Sequence, residues 1–226
     1  AVLALLNLVF VFLFLPESIR HKYPAMQAAS NEGKLHAIVN GLSKPLIGSA
    51  LAIFFVMSLT FSTAPVILPL LGMSSFNLGA LEMAYFFTYV GSIQIAFQGF
   101  IIGRVAKKFG EERLMAVGSL LMAWALFFMA LILDIAVFLA LVTMMVLGTG
   151  MIQTAVPSFI SRRTPANEQG GMLGITQSFS SIAKVPGPLI GGFVLEQTGL
   201  VGPFFLNTVL LMGAFVLSVR VHFQTK

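Results

Sequence analysis

Seven long apolar runs, separated by shorter polar segments, dominate the sequence. They cover residues 1–15, 46–71, 83–102, 114–133, 135–160, 171–195 and 201–219. Six of these runs reach about 20 residues or more, the length that an α-helix needs to cross the hydrocarbon core of a bilayer. The first run is shorter, and we interpret it as a helix whose start is missing, so that the chain is a fragment. The pattern predicts an all-α membrane protein with seven transmembrane helices.

The composition agrees with a protein that crosses the bilayer several times. Of the 226 residues, 58% are hydrophobic and 9% are charged, whereas a soluble globular domain carries about 25% charged residues. The sequence contains no cysteine, which excludes disulfides, thiol catalysis and cysteine metal sites within it. The net charge of +5 would suggest a nucleic-acid partner in a soluble protein. Here the basic residues are sorted by membrane side, so we predict the lipid bilayer as partner and no nucleic acid.

The segments between the runs alternate in charge. Those that follow the first, third, fifth and last runs hold 12 of the 13 Lys and Arg residues, whereas the alternate segments carry only acids, namely Glu82, Asp134 and Glu196. The positive-inside rule makes the basic side cytoplasmic. This arrangement predicts a multi-pass protein of the plasma (inner) membrane with a cytoplasmic C-terminus.

One connection is much longer than the others. Residues 16–45 form a mixed polar segment with Pro and Gly, a composition and length typical of a boundary between compact units. The predicted organisation is a truncated last helix of an N-terminal half at 1–15, a cytoplasmic linker at 16–45 and a six-helix transmembrane bundle at 46–226.

The sequence carries no recognisable enzyme or metal signature. The HExxH, GxSxG, P-loop and zinc patterns are missing, and each of them is needed for its chemistry. All three His residues lie in polar segments or the tail, and none of the eight acidic residues lies in the middle of a run. We therefore predict that the protein is not an enzyme and needs no cofactor or metal.

Lys184 is the one charged residue near the middle of an apolar run. An ionised lysine facing lipid would cost at least about 2.5–3.5 kcal/mol, so we expect it to face the bundle interior or a water-filled cavity. Gln177, Ser181 and Pro188 share its helix face at helical spacing. Lys184 is interpreted either as a cavity cation that attracts an anionic substrate group or a carboxylate, or as a structural lysine, hydrogen-bonded to helix carbonyls or buried uncharged.

Other polar side chains inside the runs need partners in hydrocarbon. Gln94 and Gln98 lie one turn apart in the run 83–102, and Gln153 lies in the run 135–160. These glutamines either line a cavity or bridge neighbouring helices. Pro65 and Pro69 each remove a backbone donor and are expected to bend or break the run 46–71.

Small residues at helical spacing predict close helix packing. Gly99–Gly103 and Gly187–Gly191 are GxxxG pairs, and Gly148 and Gly150 could act in the same way. Glycine at such spacing lets two backbones approach closely inside a membrane.

The segment 103–110 resembles the cytoplasmic loop motif of the major facilitator superfamily. The matching positions are Gly103, Ala106, Lys108 and Gly110. Lys107 stands where the family prefers Asp, and Glu111 and Glu112 stand where it prefers basic residues. A helix-end role also explains these charges, because lysines complement the negative end of one helix and glutamates the positive end of the next.

Two further segments are similar to elements of the drug–proton antiporters within that superfamily. Gly187, Pro188, Gly191 and Gly192 form a segment that resembles the GPxxGG element of this group. The better-known copy of that element lies in helix five, and the segment here would be its pseudo-equivalent in helix eleven. The segment 15–18, Leu-Pro-Glu-Ser, resembles the end of helix six. The resemblance therefore covers the chain as helices six to twelve.

This resemblance implies the C-terminal half of a twelve-helix transporter that works by alternating access, most like a proton-coupled exporter of a small molecule. The implied partner is an N-terminal six-helix half of the same protein. By family position, 46–71 and 135–160 would line the cavity, while 83–102 and 171–195 would lie at the interface between the halves. A different class also fits the sequence, namely a membrane scaffold or an inactive truncated paralogue without transport activity.

Overall fold

A computed structural model of the chain describes Phe10 and residues 45–132, 134–166 and 168–225. The chain divides into two compact units, residues 1–37 and 38–226, and Phe10 is the single described residue of the first. The predicted helix at 1–15, apart from Phe10, and the predicted linker, apart from Pro45, lie outside the described residues. The helical bundle belongs to the second unit.

Six helices in the described part of the chain are long and apolar enough to cross a membrane. They are α1 (Pro45–Phe76), α2 (Ala80–Phe109), α3 (Glu111–Met129), α4 (Ile135–Arg162), α5 (Gln169–Thr198) and α6 (Gly202–Gln224). Each overlaps one of the six longer apolar runs, so these six predicted spans are confirmed as helices. The remaining predicted helix, at residues 1–15, lies outside the described residues apart from Phe10.

Four of the helices close a ring around the apolar core. Helix α3 packs against α4 and α6, α6 packs against α1, and α1 packs against α4. Phe138, Phe159 and Met122 are fully buried between them. Burial of such side chains favours the folded bundle through close packing, since lipid tails are as apolar as the core.

Helices α2 and α5 lie outside this ring. Helix α2 packs mainly on α4, and α5 packs mainly on α1. Only 17% of the most apolar stretch of α2 and 22% of that of α5 is buried inside the bundle, compared with 56% for α1. These two helices therefore present the most uncovered surface of the six.

Two glycines face each other where α3 crosses α4 closely. A Cβ atom built on Gly118 of α3 would lie 2.8 Å from the carbonyl oxygen of Gly148 on α4, and one on Gly148 would lie 2.6 Å from that of Gly118. Both positions thus require glycine. Gly150 faces the ring of Phe97 at 2.8 Å, so the expected packing role of both α4 glycines is confirmed.

Two sequence expectations about helix geometry have a limited outcome in this bundle. Nothing lies within 4 Å of a Cβ built on Gly99 or Gly103, so this GxxxG pair brings no other described helix close. Pro65 and Pro69 were expected to bend or break their run. Helix α1 is not broken, because both prolines lie inside its 32 residues, and a bend stays a prediction.

Candidate functional site

Helix α2 has an irregular turn in its membrane-spanning part. Residues Phe97–Ile101 form a π-helical turn between two α-helical segments, Ala80–Ala96 and Ile102–Phe109. Such turns are rare and frequently occur at functional sites, because they shift side chains out of regular register. Phe97 points into the core and is 4% exposed, while the next residue, Gln98, is exposed.

Polar side chains link α2 to α4 at two levels. The side-chain amide of Gln98 donates a hydrogen bond of 3.2 Å to the amide oxygen of Gln153. Nearer the other end of the helices, the hydroxyls of Tyr89 and Thr143 lie 2.7 Å apart. The structure therefore brings together two of the predicted site residues, 55 positions apart in sequence. Gln94, one turn before Gln98, is half-buried on the same helix.

Helix α5 is interrupted near its middle. It consists of Gln169–Lys184 and Pro186–Thr198, with Val185 between them. Pro186 has no backbone N–H and cannot continue the hydrogen-bond ladder of the first segment. Lys184 is consequently the last residue of a half-helix, where a positive charge is stabilised by the negative end of the helix dipole.

Three of the four residues of the polar stripe predicted on α5 are exposed. Gln177, Ser181 and Lys184 all lie on the uncovered side of the helix, and the hydroxyl of Ser181 donates a hydrogen bond of 2.9 Å to the carbonyl of Gln177. Of the two positions expected for Lys184, the interior of this bundle is wrong, and a water-filled cavity stays a prediction. Its side chain makes no hydrogen bond or ion pair with another of the described residues.

The uncovered face around Lys184 is otherwise apolar. Val185 is 69% exposed and Leu189 is 70% exposed. A lysine in the middle of a membrane span needs a cavity, a counter-charge or cover by protein. The described residues supply none of these to Lys184.

The second segment of α5 is held tightly against α1 through two glycines. A Cβ on Gly187 would lie 2.7 Å from the carbonyl oxygen of Leu59, and one on Gly191 would lie 3.2 Å from Thr63. Pro188 is half-buried, and no described neighbour lies within 4 Å of a Cβ on Gly192. The packing predicted for the GPxxGG segment thus rests on Gly187 and Gly191.

Two buried hydrogen bonds complete the polar contacts of α1. The hydroxyls of Ser58 and Ser180 lie 2.8 Å apart between α1 and α5. The amide of Asn207 on α6 donates a bond of 2.8 Å to the hydroxyl of Thr63. The Ser58–Ser180 contact ties the first segment of α5 to α1, and the Asn207–Thr63 bond ties α6 to α1.

The loop motif forms the junction between α2 and α3. Gly110 has a φ of 78°, which L-residues rarely adopt, and its N–H donates to the carbonyl of Ala106 at 3.0 Å. Lys108 is exposed, with its ammonium 5.5 Å from the centroid of the Phe109 ring. Gly110 therefore ends α2 and begins α3, and the described contacts give the motif a helix-terminating role.

The structure adds a pair of ion pairs that the sequence pattern did not predict. Glu111 pairs with Arg162 at 3.0 Å, and Glu112 pairs with Arg163 at 2.9 Å. The expected placement of both glutamates in the first turn of a helix is confirmed. They also join the start of α3 to the end of α4. The doubled Glu-Glu and Arg-Arg sequences are the signal that could have suggested this pairing.

These ion pairs differ in their surroundings. Glu111 also accepts a hydrogen bond of 2.9 Å from the hydroxyl of Ser158. The guanidinium of Arg163 lies 3.7 Å from the centroid of the Phe159 ring. Arg163 thus combines an ion pair with a cation–π contact, an arrangement that is stronger when partly desolvated.

Among the residues described by the structure, no group of three or more His, Cys, Asp or Glu side chains is arranged to hold a metal ion. What α2, α4 and α5 offer is a set of amides, hydroxyls and one ammonium group. Such groups bind and orient a molecule through hydrogen bonds and charge.

The sequence matches the family model of the Major Facilitator Superfamily over residues 1–184 and again over residues 90–225. It is 26% identical over 224 residues to solute carrier family 22 member 18 of Mus musculus, and the match covers 96% of this chain and 54% of that protein. It is 27% identical over 160 residues to the class E tetracycline resistance protein of Escherichia coli, covering 71% of this chain and 39% of that protein. The chain spans about half the length, or less, of these relatives.

The bundle is also similar to solved structures. It superposes on the crystal structure of the human organic anion transporter MFSD10 (TETRAN) with a TM-score of 0.71. The sequence identity is 19%, and the match covers 76% of this chain and 40% of that one. At this identity the likeness shows a common fold.

Proposed function

Because this chain belongs to the major facilitator superfamily, we propose that it is one six-helix half of a transporter that moves a small molecule by alternating access. Its helices and its family make it an integral, multi-pass membrane protein. In transporters of this architecture, two six-helix halves rock around a binding site near the bilayer midplane. The chain would be the C-terminal half, in line with its motif order.

The observation that carries this proposal is that polar side chains lie on the uncovered, largely apolar surface of α2 and α5. These helices are the least buried of the six, and each has a break in regular geometry beside a polar side chain, Gln98 in α2 and Lys184 in α5. A polar face of this kind is costly against lipid. It is stabilised when a second bundle covers it and water fills the space between. Irregular helices at membrane depth are typical of transport sites.

Within that site, we assign different roles to the two helices. Gln98 and Gln153 form a fixed amide pair on one wall, with Gln94 a turn away. Gln177, Ser181 and Lys184 form the opposing polar stripe on α5. Lys184 supplies the positive charge, which would attract an anionic group of the substrate or a carboxylate on the N-terminal half.

The proposed direction of transport is export, coupled to protons. It is supported by the GPxxGG and Leu-Pro-Glu-Ser segments and by the similarity to a tetracycline resistance protein, since a membrane transporter confers resistance when it removes the drug from the cell. Because no acidic residue in this sequence lies in the middle of an apolar run, the proton-carrying carboxylate would belong to the N-terminal half. The basic helix ends would face the cytoplasm of a cell whose plasma membrane holds the protein.

A transport screen of the full-length protein tests this function. The protein is reconstituted in liposomes, and the movement of candidate drugs and metabolites is measured with a proton gradient of either direction and with none. Export of at least one compound, faster with a proton gradient that favours it, is the expected result. Correct insertion without movement of any compound would favour a scaffold or an inactive paralogue instead, and gradient-independent movement would contradict proton coupling.

A further inference from the structure

A cavity of about 430 Å³ lies at the basic end of the bundle, and none of the polar site residues named above lines it. Helices α2, α3, α4 and α6 each contribute to its wall. Its lining is apolar and includes Val105, Val117, Met151 and Val219, and Arg113 and His222 contribute the apolar parts of their side chains. The volume is within the range of about 300–1,000 Å³ that is usual for ligand sites.

The cavity extends from the ends of the helices into the depth of one membrane leaflet. Met151 precedes Arg162, at the end of α4, by eleven residues, which corresponds to about 16 Å at the rise of an α-helix. One leaflet contributes about half of the hydrocarbon thickness of about 30 Å. The apolar part of the cavity thus has the depth that an acyl chain occupies.

Two basic residues lie at the wall of the cavity. The stem of Arg113 lines it, and the ammonium of Lys108 lies 5.5 Å from the ring centroid of Phe109, another lining residue. The nearby carboxylates of Glu111 and Glu112 are engaged by Arg162 and Arg163 in ion pairs of 3.0 and 2.9 Å. Arg113 and Lys108 therefore give this end of the cavity a positive charge.

We propose that this cavity binds an anionic phospholipid, with one acyl chain in the apolar part and the phosphate at Arg113 and Lys108. Basic sites between transmembrane helices on the cytoplasmic side are suited to acidic headgroups. The inference rests on the membrane orientation of the proposed function, but binding can be measured without transport. A failure of one is thus distinguishable from a failure of the other.

Charge argues against the two other occupants that the chain itself could supply. The segment 16–45 carries four Lys or Arg residues and two Glu, so it would bring further positive charge to the positively charged end of the cavity. A second copy meeting this face symmetrically would bring the same positively charged surface from both copies together. An acidic headgroup is the occupant that complements the site.

The first test measures lipid retention. The purified 226-residue chain is placed in nanodiscs of phosphatidylglycerol and phosphatidylcholine, extracted into detergent, and analysed for bound lipid by native mass spectrometry. We expect phosphatidylglycerol to be retained in preference to phosphatidylcholine. Arg113→Gln should weaken the binding of phosphatidylglycerol about fivefold, which is the effect of one basic residue near an acidic surface. The matched control is Arg104→Gln, because that guanidinium donates to the Phe100 carbonyl of its own helix. Equal retention of both lipids, or equal losses in the two variants, would overturn the proposal.

The second test concerns the acyl chain. Val117→Trp should fill the apolar part of the cavity and displace phosphatidylglycerol, although Arg113 is still present. The control is Val209→Trp, which should not displace the lipid, because Val209 is 70% exposed on α6 and lies outside the cavity lining. Glycerol 3-phosphate should not compete, since it has no acyl chain. If the Val117→Trp variant still retained phosphatidylglycerol, or if glycerol 3-phosphate displaced it, the basic residues would be a site for a soluble phosphate. The proposed lipid site would then be refuted.

The third test identifies the occupant directly. Because the sequence has no cysteine, Val117→Cys can carry a single photoreactive label at the cavity wall. In phosphatidylglycerol nanodiscs the expected product is a lipid adduct. A crosslink to residues 16–45 or to a second copy of the chain would show that one of these fills the cavity, and would contradict the proposal.

Discussion

The side-chain amides of Gln98 and Gln153 are joined by a hydrogen bond of 3.2 Å across the boundary between α2 and α4. Gln98 belongs to the π-helical turn of α2, so the irregular turn and the polar contact occupy the same level of the bundle. A second link, Tyr89 to Thr143, joins the same helices without any irregularity. The two links allow a substrate role to be separated from a purely structural one.

Replacing Gln98 by Leu should affect transport more than stability. An interhelical hydrogen bond in a membrane contributes on average about 0.6 kcal/mol, so the thermal unfolding of the variant should change little. If Gln98 and Gln153 contact the substrate, its apparent affinity should fall about fivefold, as for one lost hydrogen bond. Transport kinetics and thermal unfolding of the full-length protein measure both effects.

Thr143→Val is the matched control for Gln98→Leu, because it breaks the other link between the same two helices. It should have a similarly small effect on stability and leave the affinity unchanged. If both variants changed transport equally, the glutamines would be helix bridges and would not belong to the substrate site.

Replacing Lys184 by Met should abolish transport, or reduce it at least about tenfold, while the amount of protein in the membrane remains about the same. The side chain is exposed on the bundle, so its loss removes no internal contact, whereas a hydrogen bond to a charged group contributes about 1.5–3 kcal/mol. Transport assays and membrane quantification of the full-length protein provide the test. Lys184→Arg, which retains the charge, should keep part of the activity, and wild-type kinetics for Lys184→Met would assign this lysine to structure.

The apolar runs of the sequence were sufficient to locate the described helices, because length and hydropathy determine which segments can span a bilayer. For example, the run predicted at 135–160 corresponds to helix α4, which extends over Ile135–Arg162. The run 83–102 underestimates α2, which continues to Phe109. Helical hydrogen bonding continues past the apolar stretch into polar sequence until Gly110 ends it, and hydropathy does not report that.

The candidate site was predictable only in part. The polar residue types were visible in the sequence, but the partner of Gln98 depends on how α2 and α4 are rotated. The π-helical turn has no residue signature of its own. Pro186 could have indicated the interruption of α5, but the run 171–195 was predicted as one continuous helix. Lys184 is exposed while Gly187 and Gly191, three and seven residues later, lie against α1, a relation that spacing alone cannot give.

Adding a methyl group at Gly187 should destabilise the bundle, whereas the same change at Gly192 should not. The Cβ at Gly187 would meet the Leu59 carbonyl at 2.7 Å, and that at Gly192 would meet no described neighbour within 4 Å. Overpacking of this kind costs about 1–3 kcal/mol. Gly192→Ala should be neutral or stabilise by up to about 1 kcal/mol, the helix propensity difference.

Thermal unfolding of both alanine variants in the same detergent is the measurement for this glycine pair. Equal unfolding temperatures would mean that α1 and α5 can separate at little cost. The close approach at Gly187 would then not be what holds the second segment of α5 against α1.

The two arginines at the end of α4 should differ in their contribution to stability. The side chain of Arg162 is 72% exposed and that of Arg163 is 29% exposed, and exposed ion pairs contribute about 0–1 kcal/mol. Arg163 also contacts the Phe159 ring, which adds about 0.5–2 kcal/mol. Arg163→Gln should therefore lower the unfolding temperature more than Arg162→Gln.

Arg163→Lys keeps the charge but loses the planar guanidinium, and its unfolding temperature should lie between those of the wild type and Arg163→Gln. High salt should weaken the Arg162 pair more than the Arg163 pair, because partly buried charges are screened less. Identical losses for the two glutamine variants would show that neither burial nor the aromatic contact matters here.

The 226-residue chain by itself should not transport substrate, even when it is correctly inserted in liposomes. The polar residues of α2 and α5 lie on surfaces that this bundle leaves uncovered, so one wall of the proposed site is not supplied by the described helices. Alternating access needs two bodies that move against each other, and a single bundle provides one. The full-length protein, reconstituted at the same density, is the positive control. The contradicting outcome is that the chain alone moves a substrate and that Lys184→Met abolishes this movement. The bundle would then assemble a complete pathway, for instance by pairing with a second copy. The assignment of α2 and α5 to an interface with a different half would be wrong.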